Sequence, residues 1–229
     1  MNDLEKYFDV MNSMKKGNTQ KVIDIVEEFG LSFCSLLDDG YKLLSVAVEK
    51  NQVEMVANLL HYDAKVNSDR DIMSLLQIAA INNNTTIFKM LLERGATINY
   101  SHIYNKKSPI KLAIEHNNID IVRLIVKHKN FGKKYDPSLL HMAVKNNNLE
   151  MVRLLLETGA DVNEYDDNES APIHEAVVYC TNDILQLLLD YGADINAKNK
   201  YGDTPVSLVL MHSYDETPMM HSHNIMMQT

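Results

Sequence analysis

The sequence predicts an all-α protein built from stacked helix–turn–helix repeats. An alanine within a short apolar segment recurs in steps of 32, 34, 30 and 33 residues, at Ala47, Ala79, Ala113, Ala143 and Ala176. Each alanine segment is followed by a polar turn and a longer segment with helical apolar spacing. Because one short helix pair cannot bury its apolar face alone, this period predicts a solenoid in which neighbouring pairs stack.

Two helices are recognisable within each repeat. In the first clear repeat, residues 43–47 form an apolar stripe of one helix and residues 53–60 that of a second helix. Residues 139–143 and 149–156 repeat this arrangement with nearly the same residue types. We expect each alanine to lie where first helices of neighbouring repeats meet, because its small side chain permits close approach.

The connections also recur. Asparagine, which tolerates the left-handed conformation well, stands in the turn between the two helices. These turn residues are Asn51, Asn82 to Asn84, Asn117 and Asn118, Asn146 to Asn148, and Asn182. After the second helix comes Gly95-Ala96, Gly159-Ala160 or Gly192-Ala193. A glycine at this point allows a positive φ, so we expect the following segment to turn outward as a hairpin.

These segments resemble the ankyrin repeat, whose pattern is Asp-x-x-Gly-x-Thr-Pro-Leu-His-x-Ala, a Gly or Asn turn, a Val-x-Leu-Leu-Leu helix and Gly-Ala-Asp-x-Asn. The resemblance is strongest in residues 138–163, 171–196 and 202–205. In the repeat containing Ala113, Lys129 and Asn130 replace the Gly-Ala pair, and we expect an altered hairpin there.

The period divides the chain into repeats, caps and a tail. We expect a degenerate N-terminal capping repeat at residues 1–36, five ankyrin repeats at residues 37–198, and a partial C-terminal capping repeat at residues 199–212. Residues 213–229 lack an apolar second helix, and we expect a disordered tail. The five repeats are expected at about residues 37–68, 69–102, 103–132, 133–165 and 166–198.

Composition restricts the function classes. The formal net charge of −9 argues against sequence-independent binding of nucleic acid, which depends on Lys and Arg. No apolar stretch is long enough to span a membrane, and the N-terminus is polar and unlike a signal peptide. Cys34 and Cys180 are far apart, so we expect reduced thiols rather than a disulfide framework. These features predict a protein of the cytoplasm or the nucleus, and capped repeat arrays are commonly monomeric.

Two histidines occupy the His place of the family's Thr-Pro-Leu-His signature. The resemblance implies that His141 and His174 form hydrogen bonds that tie adjacent loops together. The alternatives are catalysis and metal binding. The sequence contains no phosphate-binding loop, H-E-x-x-H or G-x-S-x-G motif, and we expect neither enzymatic activity nor a cofactor. Met and His residues in the tail could bind copper(I), but a tail that happens to be rich in them is the simpler interpretation.

The resemblance further implies a concave binding face, formed by hairpin tips and the exposed side of the first helices. Tyr and Arg are frequent in such interfaces because they bury a large area and retain a polar end. The alternative is that the tyrosines only cover neighbouring hairpins; among helix positions, exposed Ile81, Val178 and Tyr179 would be the most informative. The predicted partner-binding residues are Tyr41, Arg70, Met73, Tyr104, Lys107, Lys134, Tyr135, Asp167, Tyr179 and Tyr201.

The sequence therefore predicts non-catalytic binding of a protein partner. The chain could be an inhibitor or decoy, as IκB-like ankyrin proteins are, an adaptor that recruits a client to a ubiquitin ligase, or a structural tether. An adaptor usually carries an additional recruiting box, and the short stretch after the repeats favours the inhibitor. The abundance of Asn, Ile, Lys and Met is similar to that of ankyrin proteins from poxviruses, other large DNA viruses or intracellular bacteria.

Overall fold

The computed structural model describes residues 3–29, 40–68, 73–98, 107–128, 131 and 136–213. Within these residues, the regular secondary structure consists of thirteen α-helices and no strand, as the sequence predicts. The helices are α1 (Asp3–Lys15), α2 (Thr19–Phe29), α3 (Tyr41–Glu49), α4 (Val53–His61), α5 (Leu75–Ile81), α6 (Thr85–Glu93), α7 (Pro109–Glu115), α8 (Ile119–Lys127), α9 (Ser138–Lys145), α10 (Leu149–Glu157), α11 (Pro172–Tyr179), α12 (Asn182–Asp190) and α13 (Pro205–Ser213).

The chain divides into two compact units. Unit 1 comprises Met1–Asn130 and contains α1 to α8, whereas unit 2 comprises Phe131–Thr229 and contains α9 to α13. In unit 1 the odd-numbered helices pack on one another in chain order, and the even-numbered helices do the same. In unit 2, α9 packs on α11, α11 on α13 and α10 on α12. We call the odd-numbered helices inner helices and the even-numbered helices outer helices.

The recurrent alanines lie in the core of each unit. Each of them is buried on an inner helix, at Ala47, Ala79, Ala113, Ala143 and Ala176. The apolar residues of the outer helices, such as Leu91 and Leu155, are buried as well. Because interiors are close-packed, a larger side chain at an alanine position would push neighbouring inner helices apart. The prediction that these alanines are packing residues is confirmed.

The turns between inner and outer helices contain asparagine in the left-handed region. The φ angles are 59° at Asn51, 52° at Asn83, 57° at Asn117 and 50° at Asn147. These four predictions are confirmed, and they share a cause, because Asn tolerates the left-handed conformation better than most other side chains.

The prediction for Asn182 is wrong. Helix α11 ends at Tyr179, and only Cys180 and Thr181 separate it from α12. Neither of these residues has a positive φ, and Asn182 is the first residue of α12. The helices of Ala47, Ala79, Ala113 and Ala143 end one residue earlier after the alanine than α11 does, and the three-residue turns that follow them contain the left-handed asparagine.

The last asparagine of the Gly-Ala-Asp-x-Asn motif links successive repeats. The Asn163 amide donates to the Gly192 carbonyl at 2.9 Å and accepts from the Asp194 N–H at 2.8 Å. Asn67 makes the same pair of bonds with Gly95 and Thr97 in unit 1. One side chain therefore satisfies a donor and an acceptor of the following repeat's backbone.

The repeat boundaries expected from the sequence stay a prediction. Helix α13 ends at Ser213, and the expected disordered tail otherwise lies outside the described residues. Among the helices that the structure describes, none is both long and apolar enough to cross a membrane.

Candidate functional site

Residues 166–170 form the first of two closed tips in the described part of unit 2. The Asp166 carboxylate oxygen Oδ1 accepts the N–H groups of Asn168 at 2.9 Å and Ser170 at 3.0 Å. The Asp166 N–H donates to the Ser170 carbonyl at 3.0 Å, which closes the turn. Because an Asp side chain can replace a backbone acceptor in this way, the tip has a defined conformation and presents Asp167 to solvent.

Residues 199–203 form a second tip of the same design, 33 residues further along the chain. The Asn199 side chain accepts the N–H groups of Tyr201 at 2.9 Å and Asp203 at 3.0 Å. The Asn199 N–H donates to the Asp203 carbonyl at 3.0 Å. Tyr201 is therefore presented by a turn that its own backbone helps to close.

His174 attaches the second tip to helix α11. Its Nδ1 accepts the Ala171 N–H at 3.1 Å, which leaves the hydrogen on Nε2. Nε2 lies 3.1 Å from the Ala197 carbonyl oxygen and 3.2 Å from that of Asp203. The implied role of His174, tying adjacent loops, is confirmed.

His141 occupies the equivalent position one repeat earlier but has a different partner. Its Nε2 lies 3.1 Å from the Glu164 carbonyl oxygen, two residues before the first tip, which confirms its implied role in tying loops. Its Nδ1 lies 2.7 Å from the Glu175 carboxylate oxygen Oε2 on helix α11. The Ser138 N–H bonds to Asp136 instead of to the ring. Both ring nitrogens therefore face acceptors, an arrangement that fits the doubly protonated imidazolium.

The charges around His141 favour the doubly protonated ring. Burial alone would lower the pKa of His141, but the hydrogen bond and charge of Glu175 outweigh it and raise the pKa above its ordinary value of 6.5. The Lys145 ammonium lies 2.6 Å from the other Glu175 oxygen, Oε1. Burial would lower the pKa of Lys145 too, but Glu175 raises it. Both cations are therefore held by one buried carboxylate.

His141, Asp166 and Glu175 are also the residues that could hold a metal ion, because ligand atoms of all three lie within 4.8 Å of one another. The two Glu175 oxygens, however, already face His141 and Lys145. Burial would raise the pKa of Asp166, but N–H groups of Ser170 and Asn168 lower it. A metal ion would have to displace these contacts, so the cluster fits a proton and an ammonium group better than a metal.

In unit 1, Gln77 stands at the place of the signature histidine, a role that was not predicted. Its Nε2 donates to the Lys107 carbonyl at 2.6 Å, and its Oε1 accepts the Ser74 N–H at 2.6 Å. The Gln77 side chain thus caps the N-terminus of helix α5 and ties this helix to the loop that contains Lys107. The signal was its position three residues after Ser74, which matches the spacing from Ala171 to His174.

Three predicted partner-binding residues are exposed in unit 2. Tyr179, the last residue of α11, is 64% exposed, and Tyr201 is 76% exposed. Asp167 is exposed at the first tip. The Lys200 ammonium lies 5.1 Å from the centre of the Tyr201 ring, close enough for a cation–π contact. We call the surface that carries Lys145, Asp167, Tyr179 and Tyr201 the unit 2 face.

The prediction that Tyr41 binds a partner is wrong. Tyr41 was expected at a tip, but it is the first residue of α3 and only 1% exposed. Gly40, with a φ of 82°, precedes the helix and allows the chain to turn directly into it. The aromatic ring therefore belongs to the core of unit 1 and cannot contact a partner there.

The remaining predicted residues give no comparable surface. Met73 is half-buried, and the Lys107 ammonium is bound to the Glu115 carboxylate at 2.7 Å. Ile81 is exposed on α5 and Val178 is half-buried on α11. The predicted residues Arg70, Tyr104, Lys134 and Tyr135 lie outside the described residues.

Four exposed apolar residues in the described part of unit 2 were not predicted. Tyr165 precedes the first tip, Tyr191 follows α12, and Leu210 and Met211 lie on the last inner helix, α13. Met211 follows Val178 by one 33-residue period, so extending the repeat register into the C-terminal cap would have found it.

The Cys180 thiol is held in its protonated form. Burial, with a smaller contribution from Glu175, raises the pKa of Cys180 to about 12. The sulfur lies 3.0 Å from the Val144 carbonyl oxygen, to which the thiol donates. Because the thiolate is the nucleophilic form, this cysteine is unsuited to nucleophilic catalysis.

The family follows from the sequence match together with this architecture. The sequence model described as "Ankyrin repeats (3 copies)" matches residues 10–102, 44–136 and 110–199. The chain belongs to the ankyrin-repeat family. Ankyrin repeats are generic modules for protein–protein interaction, and the fold is in general a non-enzymatic scaffold. No curated protein sequence matches the chain.

Solved structures are similar in fold at low sequence identity. The ankyrin repeat domain of Bcl-3, of the IκB family, has a TM-score of 0.72 at 20% identity, covering 96% of this chain and 97% of that one. The ankyrin repeat protein EF0377 has a TM-score of 0.67 at 24% identity, covering 81% and 96%. A chain from the complex of the Bdellovibrio bacteriovorus endopeptidase Bd0816 with immunity protein Bd3460 has a TM-score of 0.67 at 20% identity, covering 81% and 97%. These matches leave the resemblance in composition to viral proteins untested.

Proposed function

We propose that the chain binds a protein partner without catalysis and that the unit 2 face makes the contact. The observation that carries this proposal is the exposure of Tyr179 and Tyr201 on well-defined supports. Tyr179 ends an inner helix, and Tyr201 stands on a tip closed by Asn199. A large ring with few rotatable bonds loses little conformational entropy when it binds, and such rings are enriched at interface hot spots.

The charge distribution indicates the chemistry of the partner's surface. Residues 1–130 contain 16 acidic and 16 basic residues, whereas residues 131–229 contain 15 acidic and six basic residues. The entire net charge of the chain therefore lies in unit 2. We expect the partner to present Lys or Arg to the unit 2 face, to associate faster at low ionic strength, and not to be a nucleic acid.

The histidines and the cysteine support a non-catalytic role. The ring nitrogens of His141 and His174 are engaged by backbone groups and by Glu175, and the Cys180 thiol is protonated. None of the three is available as a base or nucleophile. We keep the absence of a cofactor, the monomeric state and residence in the cytoplasm or nucleus as parts of the proposal.

Among the possible uses, we propose that the chain acts as an inhibitor or decoy. A single face that covers a partner's surface is sufficient for this role. An adaptor recruiting a client to a ubiquitin ligase, or a tether, would need a second contact surface, for which Ile81, exposed on α5 of unit 1, is a candidate.

The proposal is tested by affinity capture of the tagged chain from lysate of its native cells, with mass spectrometry of the retained proteins. The test variant is Tyr179→Ala/Tyr201→Ala. The matched control is Tyr191→Ala, because Tyr191 is also a tyrosine, is 41% exposed, and follows an outer helix rather than an inner one. Equal thermal midpoints of the three forms ensure that binding, not folding, is compared.

A protein retained by the native chain and by Tyr191→Ala, but lost from the double variant, supports the unit 2 face. Retention of the same proteins by all three forms rules that face out. An adaptor predicts a third pattern, in which one partner is lost from the double variant and another is retained until Ile81→Asp is introduced.

A further inference from the structure

His141 and His174 occupy equivalent positions but carry different numbers of ring hydrogens. His174 accepts a backbone N–H at Nδ1 and therefore carries one hydrogen, on Nε2. His141 faces the Glu175 carboxylate at Nδ1 and the Glu164 carbonyl at Nε2, so it needs a hydrogen on each nitrogen. His174 is thus an internal reference for the unusual protonation of His141.

We propose that doubly protonated His141 is a positioning residue that fastens the root of the 166–170 tip to helix α11, and that loss of its proton releases this tip. The proposed consequence for partner binding, a weaker contact at the unit 2 face when the proton is lost, rests on the proposed function. The proposed release of the tip does not depend on the proposed function.

The charged and polar groups around His141 come from helix α11, from the loop before the first tip and from its own helix. Glu175 on α11 faces Nδ1, and the Glu164 carbonyl and the Asp166 carboxylate approach from the loop. On its own helix, α9, Lys145 binds the second Glu175 oxygen. Beyond these groups, Tyr179 interacts with Lys145 and Cys180 with Glu175.

The chemistry of neutral imidazole predicts which contact is lost. A neutral ring has one hydrogen and one lone pair, so it cannot donate to two acceptors. A carboxylate is the stronger acceptor, so the remaining hydrogen stays on Nδ1 toward Glu175. The lone pair of Nε2 then faces the lone pairs of the Glu164 carbonyl oxygen, and the two atoms repel each other. The loop that leads into the tip therefore loses its attachment.

The direction of the pH dependence follows. Although burial opposes the charge, Glu175 raises the pKa of His141 above 6.5, so the doubly protonated form predominates at pH 6.5 and is lost as the pH rises further. The tip is therefore fastened at lower pH and released at higher pH. The 199–203 tip is tied by His174 rather than by His141, and it therefore serves as the reference.

The test is a pH titration of the isotopically labelled full chain by nuclear magnetic resonance, from pH 5.5 to about 9.5. Ring nitrogen shifts report the hydrogens on His141 and His174, and amide shifts report the two tips. We expect His141 to be doubly protonated at pH 6.5, and the amides of residues 164–170 to shift with the midpoint of His141. The amides of residues 197–203 should not follow that midpoint.

Glu175→Gln provides the matched variant, because it keeps the shape of the side chain and removes the charge. It should lower the His141 midpoint by at least one pH unit. A single ring hydrogen on native His141 at pH 6.5, or tip amides that ignore its titration, would overturn the proposal even if the variant did not fold. Stoichiometric Zn²⁺ should leave the His141 signals unchanged, whereas binding there would show that the cluster is a metal site instead.

The measurement needs no partner, so its failure is separate from that of the proposed function. If the tip responds to pH and no partner requires Tyr179 and Tyr201, only the proposed function fails. If such a partner is found and the tip does not respond, only the inference about His141 fails.

Discussion

The Nδ1 atom of His141 lies 2.7 Å from the Oε2 atom of Glu175, and the two side chains belong to successive inner helices of unit 2. Both side chains are more than nine-tenths buried. The pair therefore joins two repeats through a buried charged contact. Most other buried residues of the inner helices are apolar. The contribution of the pair to stability depends on the protonation of His141.

Glu175→Gln should lower the free energy of unfolding by about 3 kcal/mol near pH 6, because it leaves a buried cation without its partner. The pKa of His141 is higher in the folded chain than in the unfolded chain, where it is 6.5. The stabilisation is therefore complete below pH 6.5 and is lost as the pH rises through the folded pKa. Urea unfolding at several pH values checks this, and a destabilisation that stays constant up to pH 10 would contradict it.

Gln77→Ala should destabilise unit 1 by about 2 kcal/mol, because it removes the part-buried hydrogen bonds that Gln77 makes with the Lys107 carbonyl and the Ser74 N–H. Gln77→His restores the side chain found at residues 141 and 174, and it should cost less than half as much. Thermal and urea unfolding of both variants measure the difference. Equal losses would show that the cost comes from packing rather than from these hydrogen bonds.

Asn83→Ala should lower the free energy of unfolding by about 1 kcal/mol. Asn83 has a φ of 52°, and Ala tolerates this left-handed region less well than Asn does. Asn83 is exposed, so little packing changes. Asn83→Gly is the control and should change stability by less than about 0.5 kcal/mol, since glycine adopts a positive φ freely. A similar loss in both variants would mean that the amide, not the backbone, is responsible.

The Cys180 thiol should react with iodoacetamide about 1000-fold more slowly in the folded chain than in urea. Its pKa is raised from 9.0 to about 12 by burial and by Glu175, and each pKa unit reduces the reactive thiolate tenfold at neutral pH. Mass spectrometry of the peptide that contains Cys180 gives the rates. Equal rates in both states would show that the thiol is accessible and ordinary.

The all-α repeat architecture could be predicted because the features that specify it are local and recur. Ala47 and its equivalents mark the contacts between helices, and Asn51 marks a left-handed turn that almost any other residue would strain. The different turn at Cys180 was not predicted, although Cys180 stands four residues after Ala176, where the other four repeats have their left-handed asparagine. Helix α11 continues one residue further after its alanine than the other inner helices do, and Cys180 keeps a negative φ.

The candidate site was predicted less completely, because exposure depends on the exact helix start and on contacts across repeats. Tyr41 shares the register of a tip, yet the chain enters α3 immediately after Gly40 and buries the ring. The link between His141 and Glu175 joins residues 34 positions apart, and their pairing depends on Ser138 bonding to Asp136 instead of to the histidine. Tyr179 and Tyr201 are exposed, and their role in partner binding stays a prediction.

Photo-crosslinking in the native cell lysate tests the central claim, binding of a protein at the unit 2 face, most directly. A benzophenone amino acid is introduced in place of Tyr179, Tyr201 or Tyr191, one position at a time, and the irradiated products are analysed by mass spectrometry. We predict that the same partner protein is attached at positions 179 and 201 and not at position 191. Attachment at position 191 alone, or at none of the three, would contradict the account.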